Sequence, residues 1–166
     1  MKFPFYGLIS TFTYKLGDQY RFVLLGNLTV RFFGYDLGYA SYLDQNNKVR
    51  LVTKGDSITI FSGYAWDGNS PAIKLGDRFY GTPTPDSTVL SSLVHDCLCQ
   101  FRKTSCFKLS KKDIDQIFLG IMLQNRFKLA HVYYRAVRMF GEFYAFLGSF
   151  RANKVTCSEN LQGNEY

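Results

Sequence analysis

Leu93-Val94-His95-Asp96-Cys97-Leu98-Cys99-Gln100-Phe101, followed after a basic turn by Ser110-Lys111-Lys112-Asp113-Ile114-Asp115-Gln116-Ile117-Phe118-Leu119-Gly120-Ile121-Met122, decides how this chain is read. Apolar residues recur at three- and four-residue intervals in both halves, which predicts two amphipathic helices joined by a basic turn. On the second helix Phe118, Leu119 and Met122 lie within about 60° of Asp115 at roughly 100° per residue, so its carboxylate is expected to point inward. A core does not readily accept an unpaired carboxylate. On the first helix His95 borders the stripe of Leu90, Val94, Cys97, Leu98 and Phe101, with the small neighbours Ser91, Ser92 and Cys99 leaving room for an imidazole. His95 is therefore the expected partner of Asp115. Asp96, turned about 100° away, is free to face a separate ligand.

Downstream, Leu129, Val132, Tyr133, Ala136, Phe140, Phe143 and Leu147 repeat the apolar stripe and predict a third helix over about 129–147. Tyr133 and Tyr134 are expected in its core face, with a hydroxyl of either able to reach an inward carboxylate. Ser110 and Asp113 form a capping box for the second helix, and Asp86 or Ser87 is expected to cap the first. Upstream, residues 20–25, 28–33, 49–54 and 57–61 are short β-branched and aromatic runs. Gly26-Asn27, Gln45-Asn46-Asn47 and Gly55-Asp56 separate them as turns. The fold class expected is α+β: an N-terminal antiparallel β-sheet followed by a three-helix C-terminal unit. Residues 1–150 form one domain, β-rich over 1–62 and loop plus helices over 63–150. Residues 151–166 form a polar tail that frays.

With 166 residues, 46% of them apolar, the chain can bury a real core and is not broadly disordered. Its 16 Phe and 12 Tyr point to an aromatic-rich core or binding face. The formal charge of +7 is concentrated between 102 and 138, where nine Lys and Arg face only Asp113 and Asp115. Such a region attracts anionic phospholipid headgroups, nucleic acid or an acidic protein, although each charge taken singly is equally a solvated helix surface. Cys97, Cys99, Cys106 and Cys157 show no framework spacing and are read as free thiols formed in a reducing compartment. The start has no convincing signal-peptide core, and the apolar stretch near 139–150 is too short to cross a bilayer.

Gly63-Tyr64-Ala65-Trp66-Asp67-Gly68-Asn69-Ser70-Pro71 holds the only Trp and a run of small, oxygen-bearing residues. Asp-Gly is a common turn pair, so a tight turn explains the segment by itself. Alternatively it presents backbone groups to a cation or an oxyanion. Residues 72–87 read as a Gly/Pro-containing connector.

A His held by a buried carboxylate suits general-base activation of water, and it equally suits a structural tie between two helices. Both readings stand open on pattern alone. A metal phosphohydrolase would need histidines beyond His131, a zinc site better Cys/His spacing, and Cys99, though four residues after His95, sits where helical thiols are usually inert.

Trp66-Asp67-Gly68-Asn69-Ser70-Pro71, then Val94-His95-Asp96, then Ile114-Asp115-Gln116-Ile117-Phe118 resembles a family of uncharacterised proteins common in tailed phages and prophages. The resemblance covers about residues 63–141. Within it, His-Asp followed some twenty residues later by Asp-x-x-Phe is similar to the catalytic helices of phospholipase A2, especially the bacterial and parvoviral forms. That resemblance implies His95 as general base, Asp115 as its orienting partner, Asp96 as a calcium ligand and the Gly68 region as calcium and oxyanion loop. Trp66, Gly68 and Asn69 would complete the calcium set, Gly68 would serve the oxyanion, and Asp67, Ser70, Tyr133 and Tyr134 would support the site. Cys99 stands where those enzymes usually carry Tyr, and the loop lacks their full Gly-rich form.

The function expected is thus hydrolysis of a lipid ester at an anionic phospholipid membrane surface, aided by calcium. The other class is a non-enzymatic phage structural or host-interaction protein, working with other phage proteins. Nucleic-acid binding comes third. The expected location is the host cytoplasm during synthesis, then the virion or a membrane surface.

Overall fold

The protein, seen as a computed structural model, is described over residues 6–8, 10–17, 20–69, 72–75, 78–148 and 156–158. It is α+β, with antiparallel strands in the N-terminal part and three helices after them. Strands β1 (Tyr6–Leu8), β4 (Leu28–Phe32), β5 (Tyr39–Leu43), β6 (Val49–Lys54), β7 (Ser57–Ile60) and β11 (Thr156–Ser158) form one sheet in the order β1-β4-β7-β6-β5-β11. A smaller sheet joins β2 (Tyr14–Leu16), β3 (Phe22–Leu24) and β8 (Ala65–Trp66), and a hairpin joins β9 (Ala72–Leu75) to β10 (Arg78–Gly81).

Alternation makes the central strands. Leu28, Val30 and Phe32 point into the core while Thr29 and Arg31 face outward, and β7 repeats this with Ile58 and Ile60. Thr29 meets Thr59 across the ladder with hydroxyls 3.0 Å apart, and Gly55, at positive φ, turns β6 into β7. Strand β5 breaks the pattern: Ala40, Ser41 and Tyr42 are all buried, and the register shifts between Tyr42 and Leu43. With no period of two, its sequence carries no strand signal. The hairpin of β9 and β10 likewise occupies the stretch expected to be a plain connector.

The helices are α1 (Asp86–Phe101), α2 (Lys111–Gln124) and α3 (Ala130–Gly148). The Ser110/Asp113 capping box is formed. Neither Asp86 nor Ser87 caps α1. Pro85 takes the N-cap position with extended backbone and no side-chain cap, which leaves Asp86 in the first turn, where a carboxylate favours the helix dipole. One apolar cluster joins the sheet to α1 and the inner face of α2 through residues such as Phe32, Tyr42, Leu93, Phe101 and Ile117. A second, around Phe118, Leu119, Met122 and Ala130, packs α2 on α3. Of the expected stripe of α3, Tyr133 packs on α2 and Ala136 is half-buried, whereas Leu129 and Val132 are exposed, because α2 covers only the flank of the helix that carries Tyr133, Tyr134 and Val137. The side chains of Phe140, Phe143 and Leu147 lie outside the described ones.

Two expectations for the C-terminal part are corrected. Thr156–Ser158, placed in a fraying tail, pair with β5 at the sheet edge, and Cys157 is bonded to Cys106, so these two cysteines are not free thiols. The turn after α1 brings Cys106 to the edge strand, where Tyr42 donates its hydroxyl to the Cys106 carbonyl at 3.4 Å. A partner 51 residues away leaves no trace in local spacing. Cys97 and Cys99 remain free thiols. Among the described residues no helix is long and apolar enough to cross a membrane.

Candidate active site

Helix α1 enters the core with Ser91, Ser92 and Thr88 facing inward beside its aliphatic residues, and those short side chains let α2 and the Trp66 loop approach closely. One turn after Ser91, His95 reaches across to α2. Its Nε2 lies 2.9 Å from Asp115 Oδ1, and Asp115 is fully buried. The imidazole packs against Phe118, ring centroids 4.9 Å apart, and its side chain is only 12% exposed. A proton on Nε2 donated to Asp115 leaves Nδ1 as the free nitrogen of the neutral ring. Asp96 Oδ1 stands 3.7 Å from Nδ1, beyond hydrogen-bonding range, and Cys99 Sγ stands 4.0 Å from Nδ1 and 3.7 Å from Nε2.

Asp115 has more than one partner. Lys111, one turn earlier on α2, contacts the same Oδ1, and Arg138 of α3 donates to Oδ2 at 3.1 Å. Burial works to raise the Asp115 pKa, but the hydrogen bonds and charges of His95 and Lys111 outweigh it and hold the carboxyl below its usual range. For His95, burial works to lower the pKa. Cys99, Asp115 and Asp96 together more than offset it, so the imidazolium persists well above the usual histidine range. Asp96 is shifted the other way. Burial raises it first, the neighbouring charge of Asp67 adds to that, and His95 opposes both.

The loop before α1 completes the site. Trp66 is buried, stacked on Phe22 at 5.2 Å, with its indole N–H donated to Ser92 Oγ at 3.1 Å. It does not line the cavity described below, and its backbone pairs with Phe22 in the small sheet. Asp67 Oδ1 accepts from the Arg21 backbone N–H at 3.3 Å. Gly68 has φ +83°, and a Cβ there would stand 2.5 Å from Thr84 Oγ1, so the turn admits no larger residue.

Asn69 follows, buried, with its N–H on Thr84 Oγ1 at 2.9 Å and Nδ2 on Pro83 O and Thr88 Oγ1 at 3.0 and 2.8 Å. Pro83 O can only accept, and Thr88 Oγ1 gives its own proton to Pro85 O, so the orientation of the amide is fixed. Asn69 Oδ1 is then a buried acceptor with no hydrogen-bond partner among the described residues. Such an atom is costly unless something electropositive meets it.

Loop and helices enclose a cavity of about 190 Å³. Gly68, Asn69, Ser92, His95 and Asp96 form its polar wall. Phe118 with Val132, Tyr133, Ala136 and Val137 of α3 forms an apolar one. The expected residues His95, Asp96, Gly68 and Asn69 thus share one space, with Asp115 bonded behind His95. Ser70 lies outside the described residues.

Tyr133 and Tyr134 both pack in the cluster of α2 and α3, in the core face expected of them, and Tyr133 also lines the cavity, its hydroxyl donated to Pro83 O at 3.0 Å. The reach to Asp115 is made instead by Lys111 and Arg138, which sequence reading counted only as surface charge. Lys111 was recognisable from its i, i+4 spacing to Asp115. Arg138, on another helix, carried no such signal. A comparison with known protein families, curated proteins and solved structures finds no significant match for this chain.

Proposed function

We propose that the protein hydrolyses an ester of an anionic phospholipid in the manner of phospholipase A2, with His95 as general base and Asp115 as its orienting partner. The observation that carries this reading is the imidazole bound through Nε2 to a buried carboxylate while the ring also lines a cavity with one long apolar wall. Nδ1 takes a proton from water as the water oxygen attacks the ester carbonyl. The same proton passes to the leaving alkoxide as the carbonyl re-forms, giving fatty acid and lysolipid. Asp115 fixes the tautomer and stabilises the imidazolium. Phe118, Val132, Ala136 and Val137 suit an acyl chain.

A hard cation at the polar wall is part of this proposal. Asn69 Oδ1 is an unmet acceptor and Asp96 a carboxylate in the same lining, while among the described residues no three acidic, His or Cys side chains are placed to hold a metal ion. Calcium would draw on Asp96, Asn69 Oδ1 and backbone carbonyls of Trp66 and Gly68. When bound it would offset the negative charge that develops on the ester carbonyl oxygen. Gly68 N–H is the proposed second donor to that oxygen. Asp67 supports the loop through Arg21. On this reading the protein would serve a phage at entry or lysis, made in the host cytoplasm and acting at the virion or a membrane.

One observation favours the other class. His95, Lys111 and Arg138, from three helices, all converge on Asp115, as a structural cross-brace would require. In that case the chain is a non-enzymatic phage structural or host-interaction protein. Release of fatty acid from phosphatidylglycerol vesicles, with calcium and with chelator, separates the two. The hydrolase reading expects calcium-dependent release that falls by about 10²- to 10⁴-fold in His95→Ala with the far-UV spectrum unchanged. No release from either folded protein overturns it.

A further inference from the structure

Helix α3 has an outer apolar face that the packing of the helices leaves exposed. Val132 is 60% exposed and Met139 72% exposed, and Leu129, just ahead of the helix, is 52% exposed. Val132 and Met139 are two turns apart and so lie on one face, and Leu129 is within one turn of Val132. Arg135, three residues after Val132 and four before Met139, stands beside them, and Lys128 precedes Leu129; both are exposed. From Arg126 to Arg138 the sequence has four Lys and Arg and no acidic residue, and of these only Arg138 is turned to Asp115. Val132 also forms part of the cavity wall, so the cavity opens onto this face.

We infer that the surface of Leu129, Val132 and Met139, edged by Lys128 and Arg135, seats the protein on an anionic lipid bilayer with the cavity mouth at the interface. The inference rests on the hydrolase reading for its purpose and on this face alone for its geometry. An amphipathic helix with exposed apolar side chains and a basic margin lies in the headgroup region, its apolar face toward the acyl chains and its cations on the phosphates. Charge decides for this occupant. A second copy of the chain would bring the same cations to the contact, whereas an anionic bilayer meets them with opposite charge. Seated so, an acyl chain leaves the bilayer for the apolar wall of the cavity with little of its surface crossing water.

Co-sedimentation of the full chain with vesicles of equal parts phosphatidylglycerol and phosphatidylcholine, against pure phosphatidylcholine, tests this. Wild type is expected to bind the anionic vesicles and to bind neutral ones far less. Leu129→Asp with Met139→Asp should weaken binding by about tenfold or more, and Arg135→Glu by several-fold. Leu25→Asp, at an apolar residue 51% exposed on the β part, should bind as wild type does.

Equal binding of the double Asp variant, or no binding by wild type, overturns the inference. So does a wild-type dimer in sedimentation velocity that the double Asp variant separates, since a second copy would then cover the face. Fatty-acid release is read in the same samples. Binding without release defeats the hydrolase reading and leaves the surface standing, while release with unimpaired binding of the double Asp variant defeats the surface alone.

Discussion

The sheet and the helical unit are held together by different physics. Around β4, β6 and β7 the interior is almost wholly apolar, with Leu28, Val30, Phe32, Leu51, Ile58 and Ile60 buried and Thr53 the polar exception. Around α1 and α2 the interior also takes in Thr88, Ser91, Ser92, Asn69 and the charged Asp115. Apolar burial needs no partner and tolerates small errors of position. A buried carboxylate stabilises only if its donors stand in place, and removal of either side leaves a costly orphan. The sheet is therefore a scaffold whose strength is distributed, and the helical unit a device whose strength is concentrated in a few polar contacts. Concentrating it there is what allows an imidazole to be held in a fixed orientation beside a cavity.

That contrast can be broken at its strongest point. Asp115→Ala leaves Lys111 and His95 without their counter-charge in a dry site and should cost about 3–5 kcal/mol in urea unfolding. Ile58→Val, in the sheet, should cost about 0.5–1.5 kcal/mol. Comparable losses would mean that the cross-brace is not what secures the helices. Reduction of the bond between Cys106 and Cys157, which ties the turn after α1 to the sheet edge, should cost about 2–4 kcal/mol, read as a lower melting temperature in reductant and in Cys157→Ser. Equal melting temperatures with and without reductant would remove that link between the two regions.

Acidity sharpens the comparison. The His95 pKa is raised in the folded protein, so its stabilisation is complete below 6.5 and is lost as pH rises through the raised value. The Asp115 pKa is lowered, so its stabilisation is complete above 3.8 and is lost as pH falls through the lowered value. Stability should form a plateau between those limits and decline on both sides, and Ile58→Val should shift the whole curve down without changing its shape. Because His95 must be neutral to accept a proton, hydrolysis should rise with pH above the usual histidine range. Cys99→Ala, which removes one neighbour that favours the imidazolium, should move that rise to lower pH. A rise centred near an unperturbed histidine in both proteins would contradict this. The smallest effect belongs to the sheet: Thr53→Val removes a buried hydroxyl with no partner among the described residues and should leave stability equal or higher by less than about 1 kcal/mol.

Much of the site was legible because helical spacing reports which residues share a face. Asp115 among Phe118, Leu119 and Met122 had to point inward, and His95 among small residues was its natural partner. The loop was legible as a turn at Gly68, but the unmet Asn69 Oδ1 was not, since it depends on Pro83 and Thr88 occupying the amide nitrogen. Arg138 and the bond between Cys106 and Cys157 were hidden for the same reason: each joins elements whose approach is set by packing rather than by spacing. Strands with clean alternation, such as Leu28–Phe32, were readable. Tyr39–Leu43, buried at three successive residues, and Thr156–Ser158, with only a neighbouring strand to define it, were not.

During synthesis β5 gains β6 almost at once, whereas its other edge stays bare until Thr156 leaves the ribosome, about a hundred residues later. In that interval the nascent chain carries an open ladder of N–H and C=O groups beside Tyr39 and Tyr42, a template for any other extended chain. The three helices that hold the dyad are made within the same interval. A chain cut short after α3 would keep every residue of the candidate site and yet display an adhesive margin, so its characteristic failure would be self-association rather than loss of chemistry.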